Sequence, residues 1–312
     1  MPASRRIDSE KNLKCIRKKL LHRMPQSGDY PTGIEGFVLH RFNGETDPKP
    51  YFYKPVVIVV IQGKKRVRLG ERDIIYGDRS CFITGVSMPV ASCVLEATED
   101  EPYLSMSLNL DRVLIANLAA RIPPSSKHGA QAVTGAVIQD LSPELTDAFL
   151  RLLEQTETSD RIGFLGSLIC QEIHFRLLTG PFGNQLRMLH TYGTHGGHIA
   201  EAISWLRENY ARPLHIEELA ARLNMATSTF HKHFKDITTV SPLQYQKRLR
   251  LTEAQRLMLS EGYDAAQAAF AVGYESTTQF SREYKRLFGE APRRDVIRMM
   301  TAPEGRRAAA LA

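Results

Sequence analysis

The sequence is short of cysteine and of long hydrophobic runs, and each shortage excludes a class of protein. The four cysteines, Cys15, Cys81, Cys93 and Cys170, lack the close Cys and His spacing of zinc fingers and are too scattered for a disulfide scaffold. The longest apolar run, residues 56–61, is far shorter than the roughly 18 residues that a membrane helix needs. The basic N-terminus has no apolar segment behind it, so no secretory signal is expected. A cytoplasmic protein with free thiols and no membrane partner is therefore predicted.

Neither sign of charge dominates the whole chain, but the charge is distributed unevenly. The formal net charge is +7, and hydrophobic residues make up 43% of the 312 residues, which excludes disorder over most of the length. Residues 1–23 carry eight Lys and Arg against two acidic residues, residues 24–197 carry 16 against 19, and residues 198–312 carry 17 against 13. The basic C-terminal third indicates a polyanionic partner, most often nucleic acid.

The N-terminal two thirds are predicted to combine a β-rich segment with flanking helices. Residues 8–24 fit an amphipathic helix, and residues 34–110 consist of short apolar or alternating segments separated by turn residues. Short strands with turn signals about every 8–12 residues predict an antiparallel sandwich or a small barrel. Helices are expected again from residues 111, 143 and 162, with a loop over residues 122–135 and a glycine-rich break at residues 193–197.

The C-terminal third contains an internal repeat. Phe230 and Phe280 lie 50 residues apart in similar surroundings, and each begins an aromatic pair at i, i+4. Before each pair the chain must turn, at Asn224 in the first copy and at Gly273 in the second, and both residue types tolerate positive φ. Each copy is therefore predicted to be a helix–turn–helix unit. Its second helix is expected to start at Thr227 or Ser228 in the first copy and at Ser276 in the second, with hydroxyls suited to capping.

The second helix of each unit is predicted to leave a polar face exposed. These positions carry hydrogen-bonding side chains and no acid: Thr227, Ser228, His231 and Lys232 in the first unit, and Thr277, Thr278, Gln279 and Arg282 in the second. Such residues on the first turns of a second helix can contact base edges or phosphates in a major groove. A plain solvated surface is the alternative, but two tandem copies joined by a basic helix favour DNA. In that helix Lys247, Arg248 and Arg250 are predicted to contact phosphates.

Residues 200–298 resemble the DNA-binding domain of the AraC/XylS family of bacterial transcription regulators. The resemblance is closest over residues 241–254 and 269–289. It implies two helix–turn–helix units joined by one long helix, with DNA contacts at the eight exposed positions named above. Residues 55–65, Met88-Pro89 and residues 102–104 are similar to one subgroup's sensor domain, which implies a cupin-like β-barrel.

Two residues depart from the family pattern. Thr239 stands where the family has the glycine that closes the first recognition helix, and a β-branched residue is costly at positive φ. Asp295 replaces a tyrosine after Pro292, so the contact that the family makes there is expected to be absent. Neither residue lies on the predicted DNA face.

A metal centre or an enzyme site is not predicted in the barrel. His40 and Glu45 lack the paired histidines of metal-binding cupins, and no nucleotide or hydrolase motif occurs, so no metal, cofactor or catalytic residue is expected. Cys81 and Cys93 are expected in the core, the alternative being a thiol that senses electrophiles. Three nearby histidines are expected to be exposed linker residues: His190, His195 and His198.

These observations predict an α+β chain: an N-terminal cupin-like antiparallel β-barrel with flanking helices, then an all-α domain of two helix–turn–helix units. The expected boundaries are residues 1–192 for the sensor domain, with helices over 143–180, residues 198–300 for the DNA-binding domain and residues 301–312 for a disordered tail. The expected partners are double-stranded promoter DNA, an unidentified small-molecule effector or a second copy of the chain and, as the family implies, RNA polymerase. Activation at nucleoid DNA is expected. A barrel that serves only to dimerise, and a metal-free cupin-type binding protein or enzyme with an accessory helical domain, are the alternatives.

Overall fold

The computed structural model describes residues 3–123, 133–157 and 162–301. Two antiparallel sheets face each other in its N-terminal part, with strand orders β1-β2-β9-β4-β7-β10 and β3-β8-β5-β6. The strands are β1 Gly28–Pro31, β2 Phe37–Phe42, β3 Lys49–Tyr53, β4 Val56–Gln62, β5 Lys64–Leu69, β6 Arg72–Gly77, β7 Ser80–Thr84, β8 Met88–Glu96, β9 Tyr103–Asn109 and β10 Ala136–Asp140. The predicted β-rich segment is confirmed. Strand β10, which pairs with β7, was not predicted.

Strand β4 is buried on both faces, which explains its continuous β-branched sequence. Val56, Ile58 and Val60 point into the space between the sheets. The alternate residues Val57 and Val59 point outwards and are covered by helices. Each fully buried side chain of this kind contributes roughly 1.5–3 kcal/mol, so β4 anchors the barrel.

Twelve helices lie within the described residues. They are α1 Ala3–Arg23, α2 Arg112–Arg121, α3 Pro143–Gln155, α4 Ile162–Thr179, α5 Gly183–His190, α6 His195–Glu208, α7 Ile216–Arg222, α8 Thr227–Thr238, α9 Pro242–Ser260, α10 Ala265–Ala271, α11 Thr277–Phe288 and α12 Pro292–Thr301. Helix α3 begins at Pro143 as predicted and is capped by Ser142, and α9 begins with a capping box between Ser241 and Gln244. The predicted tail, apart from Thr301, and most of the predicted loop at 122–135 lie outside the described residues. No described helix has the length and apolar character needed to cross a membrane.

The predicted glycine-rich break is wrong for its last residues, because α6 begins at His195. A Cβ on Gly196 or Gly197 would lie only 2.7 or 2.2 Å from a carbonyl oxygen of the preceding segment, so these glycines permit close packing.

The exposed-linker prediction fails for two of the three histidines. His190 and His198 are half-buried, while His195 is exposed and stacks on His233 at 4.7 Å between ring centroids. Burial, together with the charge of Arg112, lowers the pKa of His190 to about 4.

The core is divided unequally between the two helix–turn–helix units. One continuous cluster runs from Ile16 of α1 through the outer face of the six-stranded sheet to Phe230 and Tyr245 of the first unit. The second unit has its own cluster around Phe280 and Tyr284. The first unit thus shares a core with the barrel side, while the second has its own core, is joined to the first through α9 and contacts strand β3 through α11.

Candidate nucleic-acid interface

The two tight turns between the paired helices have nearly the same backbone geometry. Asn224 and Gly273 both adopt positive φ, 53° and 86°. One residue further on, the amides of Met225 and Tyr274 each donate to the carbonyl five residues back, at Ala220 and Ala269, at 2.9 Å in each case. A Cβ at Gly273 would lie 2.1 Å from a backbone oxygen, so the second turn requires glycine for space as well as conformation. The predicted turns are confirmed.

The two recognition helices begin differently. Ser276 caps α11 by accepting from the Gln279 amide at 3.3 Å. Helix α8 begins after Ala226, which offers no side-chain cap, so the prediction that Thr227 or Ser228 caps this helix is wrong. Because the helix starts one residue earlier than such a cap would allow, both hydroxyls lie on its first turn.

The eight predicted DNA contacts lie on two outer helix faces. Their aromatic partners, Phe230 and Phe234 in α8 and Phe280 and Tyr284 in α11, are fully buried behind them. The exposed members of the set are Ser228, Lys232, Thr278, Gln279 and Arg282, and the half-buried members are Thr227, His231 and Thr277. The structure therefore brings four of them together on the first turns of each second helix.

The three predicted phosphate contacts differ in their availability. Lys247 pairs with Glu283 at 2.8 Å, and Arg248 is half-buried. Arg250 is committed elsewhere: its nitrogens donate to the carbonyls of Tyr210, Ala211, Arg212 and Gly273 at 2.7–3.2 Å. Because four of its five donors are used, we withdraw Arg250 as a phosphate contact and assign it to holding the chain around the second turn.

Sequence reasoning missed Glu283, a buried carboxylate at the centre of the second unit. It accepts from Lys247 at 2.8 Å, from the Tyr274 hydroxyl at 2.8 Å and from Gln279 at 3.3 Å. Burial raises the pKa of Glu283, but these donors lower it by more, so the net pKa lies below its ordinary value. The carboxylate joins α11 to α9 and orients Gln279, one of the predicted DNA contacts. The sequence signal for Glu283 was an acidic residue directly after Arg282, on the inward face of the helix.

The two family departures have structural explanations. Thr239 does adopt positive φ, 68°, at the end of α8, and the barrel residue Gly70 packs directly against it. Asp295 is buried and accepts from Tyr284 at 2.8 Å, Gln255 at 2.6 Å and Arg298 at 2.5 Å. Asp295 therefore makes hydrogen bonds of its own where the family has a tyrosine, and these bonds join α12 to α9 and α11.

The barrel touches the first unit through a small set of close contacts, here called the docking contact. Its members are Gly70 against Thr239, the Gly135 amide to the Ile237 carbonyl at 3.1 Å, the Tyr245 hydroxyl to the Ser87 carbonyl at 2.9 Å, and Phe52 edge-on to Tyr245 at 5.2 Å. These contacts lie at the C-terminal end of α8 and on α9, away from the first turns that carry the predicted DNA contacts.

We expect Gly70→Ala to weaken the docking contact. An added Cβ would lie 2.9 Å from the Thr239 carbonyl oxygen and 3.0 Å from its Cβ, so the barrel and α8 must separate. Gly262→Ala is the matched control, because Gly262 has a similar positive φ of 71° but no neighbour within 4 Å. Hydrogen exchange at the α8 amides should accelerate in the first variant only. Equal exchange in both variants would mean that backbone strain alone matters.

Three side chains considered for metal or thiol chemistry already contact other groups of the protein or are buried: His40, Cys81 and Cys93. His40 lies between Asp29 and Ser107, with its Nδ1 2.5 Å from the carboxylate and its Nε2 2.8 Å from the hydroxyl. Burial raises the pKa of Cys81 to about 12, so its thiol stays protonated, and Cys93 is buried 3.4 Å from an Arg66 nitrogen. Among the described residues no cluster of three metal-binding side chains occurs.

A β-barrel followed by two helix–turn–helix units with polar outer faces defines a helix–turn–helix protein with an N-terminal accessory domain. Residues 33–185 match the family model of the AraC-type transcriptional regulator N-terminus, and residues 219–295 match that of a helix-turn-helix domain. The chain belongs to the AraC family of transcriptional regulators.

Two RhaS proteins from different bacteria are similar to this chain. The transcriptional activator RhaS of Pectobacterium carotovorum is 26% identical over 182 residues, which cover 57% of this chain and 62% of RhaS. RhaS of Yersinia pestis is 30% identical over 97 residues, 31% of this chain and 36% of that protein. The alignments thus span less than two thirds of these relatives.

The fold is also found in solved structures of another protein. ToxT from Vibrio cholerae superposes with a TM-score of 0.57 at 10% identity, covering 84% of this chain and 98% of ToxT. The wild-type ToxT structure with bound unsaturated fatty acid gives 0.54 at 12% identity, covering 86% and 96%. At such low identity these likenesses concern the fold, and the predicted α+β architecture is confirmed.

Proposed function

We propose that the protein binds promoter DNA sequence-specifically and regulates transcription, as an activator that contacts RNA polymerase at nucleoid DNA in the cytoplasm. The observation that carries the proposal is the repeated unit: two second helices, each with a buried aromatic face and four hydrogen-bonding residues outside. The activator role is suggested by the RhaS relatives, and RNA polymerase is the partner that the family resemblance implies. We also propose residues 1–192 as the sensor domain and residues 198–300 as the DNA-binding domain.

The proposed binding mode places α8 and α11 in successive major grooves on one face of the duplex. Such grooves are about 34 Å apart, so one chain would cover roughly two helical turns. The exposed cations Lys232 and Arg282, with Lys247 and Arg248 from α9, would supply the phosphate attraction.

A DNase footprint of the purified chain on DNA upstream of its own and neighbouring genes tests this proposal. We expect one protected segment of about two helical turns per monomer, weakened when salt is raised from 50 to about 200 mM. Absence of sequence-selective protection at both salt concentrations, with and without cell extract, would contradict the proposal and return attention to the barrel.

An effector is proposed to act through the barrel. A partly open cavity of about 960 Å³ lies between the barrel and the last helix, and Arg298, Met299 and Thr301 of α12 form part of its wall. A ligand there would bias the position of the last helix only if it bound one arrangement more tightly than another. Fatty-acid binding by ToxT, which has the same fold, is consistent with this arrangement.

A homodimer is proposed to form through α4. Its outer face exposes four large apolar side chains along the helix: Phe164, Leu165, Leu168 and Phe175. An exposed apolar patch of this kind marks an interaction surface, and a second copy can cover it through a two-fold, self-complementary contact. Analytical ultracentrifugation decides the matter, since a monomer at every concentration would contradict the proposal.

A further inference from the structure

The recognition helix of the second unit carries one exposed side chain whose orientation is fixed from behind. Gln279 lies on the first turn of α11, and its Nε2 donates to the Glu283 carboxylate one turn further on, at 3.3 Å. The Ser276 hydroxyl accepts from the Gln279 backbone amide, also at 3.3 Å. Both the backbone and the side chain of Gln279 are therefore held before any partner arrives.

Glu283 decides which end of the Gln279 amide turns inwards. The Glu283 carboxylate is buried, and it also accepts from the Lys247 ammonium group and the Tyr274 hydroxyl, each at 2.8 Å. An ionised carboxylate accepts hydrogen bonds and donates none, so only the NH2 end of the amide can face it. The amide oxygen of Gln279 is thereby turned away from Glu283.

The Gln279 side chain consequently offers a defined hydrogen-bonding pattern to a partner that approaches α11. None of the described residues donates to its oxygen, and the second N–H of its amide is also uncommitted among them. In a major groove, one acceptor beside one donor is complementary to adenine, whose N6 amino group donates and whose N7 accepts. Guanine presents two acceptors there, thymine one acceptor and a methyl group, and cytosine one donor.

The first unit has different residues at these two positions. Fifty residues earlier, Thr229 stands in place of Gln279 and His233 in place of Glu283. His233 stacks on His195 of α6, so the joint behind the first recognition helix is a pair of imidazole rings rather than a carboxylate. The arrangement of Gln279 and Glu283 thus concerns only the half of the DNA site that α11 would contact.

We propose that Gln279 recognises adenine and that Glu283 is the positioning residue that sets this preference. The Glu283 carboxylate would touch no base, because it acts by holding the amide with its oxygen and one N–H towards the groove. The inference rests on the proposed function, since it requires α11 to lie in a major groove. It deepens that function by assigning one base pair of the DNA to one side chain.

The test is selection of DNA by the full chain from a library of random sequence, followed by fluorescence anisotropy on the selected fragment. Gln279→Ala identifies the base pair in question as the one whose preference it removes. In the unaltered chain this pair is expected to be A·T in one orientation. It should bind about tenfold more tightly than the reversed pair or either G·C pair, because a bidentate contact discriminates by roughly this factor.

Two further variants test the positioning role. Glu283→Gln can donate as well as accept, so the Gln279 amide can turn over, and the preference at this one pair is expected to fall several-fold while other positions keep theirs. Tyr274→Phe is the matched control, because it removes a 2.8 Å donor from the same carboxylate without touching Gln279. The preference for A·T should be retained in this control.

Three results would overturn the proposal: a pair other than A·T at this position, an unchanged preference in Glu283→Gln, or no altered position in Gln279→Ala. The identity of the base pair keeps the test decisive should Glu283→Gln fail to fold. If the unaltered chain enriches no sequence, the proposed function fails together with this inference. An enriched sequence without the expected changes contradicts the inference alone.

Discussion

Replacing Asp295 by alanine is expected to lower the free energy of unfolding by about 3–5 kcal/mol, as loss of one partner from a buried charged cluster does. Asp295 is 1% exposed and receives hydrogen bonds from Tyr284, Gln255 and Arg298. Its removal leaves the first two donors buried without an acceptor and releases α12 from α9 and α11. Urea unfolding followed by circular dichroism measures the loss.

Glu290→Ala is the control for this change. Glu290 accepts from the same Arg298 at 3.1 Å, but at the surface, where an ion pair contributes about 1 kcal/mol or less. Asp295→Asn, which keeps one acceptor oxygen, should fall between the two alanine variants. A loss in Asp295→Ala no greater than in Glu290→Ala would mean that this cluster does not hold the last helix.

Local sequence signals predicted the repeated unit well. The turn residues Asn224 and Gly273, the buried aromatic pairs and the cap at Ser276 were each readable from spacing and residue type, although Gly273 also packs against the backbone of the distant Ala211. The polar outer faces followed from the same helical period. These features are largely local because the two helices of each unit pack against each other across a short turn.

Features that depend on distant neighbours were not readable. Gly70, from the barrel, packs against Thr239, and no residue close to position 239 in the sequence indicates this contact. Arg250 appeared to be a phosphate contact, since a basic residue on a long helix gives no sign that four carbonyls will surround it.

The double replacement of His231 and Arg282 by alanine is expected to remove sequence-selective DNA binding. Arg282 is exposed on α11 and His231 half-exposed on α8, so one change falls in each proposed groove. A base contact of this kind contributes about 1–3 kcal/mol, and two together about 2–6 kcal/mol, which corresponds to a loss of affinity of roughly 30-fold or more. Fluorescence anisotropy with a footprinted DNA fragment measures it.

Arg72→Ala provides the charge control for this experiment. Arg72 is exposed on β6 of the barrel, so its loss changes the net charge as Arg282→Ala does without touching either recognition helix. Lys232→Ala separates the two kinds of contact: a phosphate contact should weaken all DNA sequences alike and reduce the slope of log affinity against log salt by about one. If the double variant kept the selectivity of the unaltered chain, α8 and α11 could not be the elements that read the sequence, whatever the two repeated units resemble.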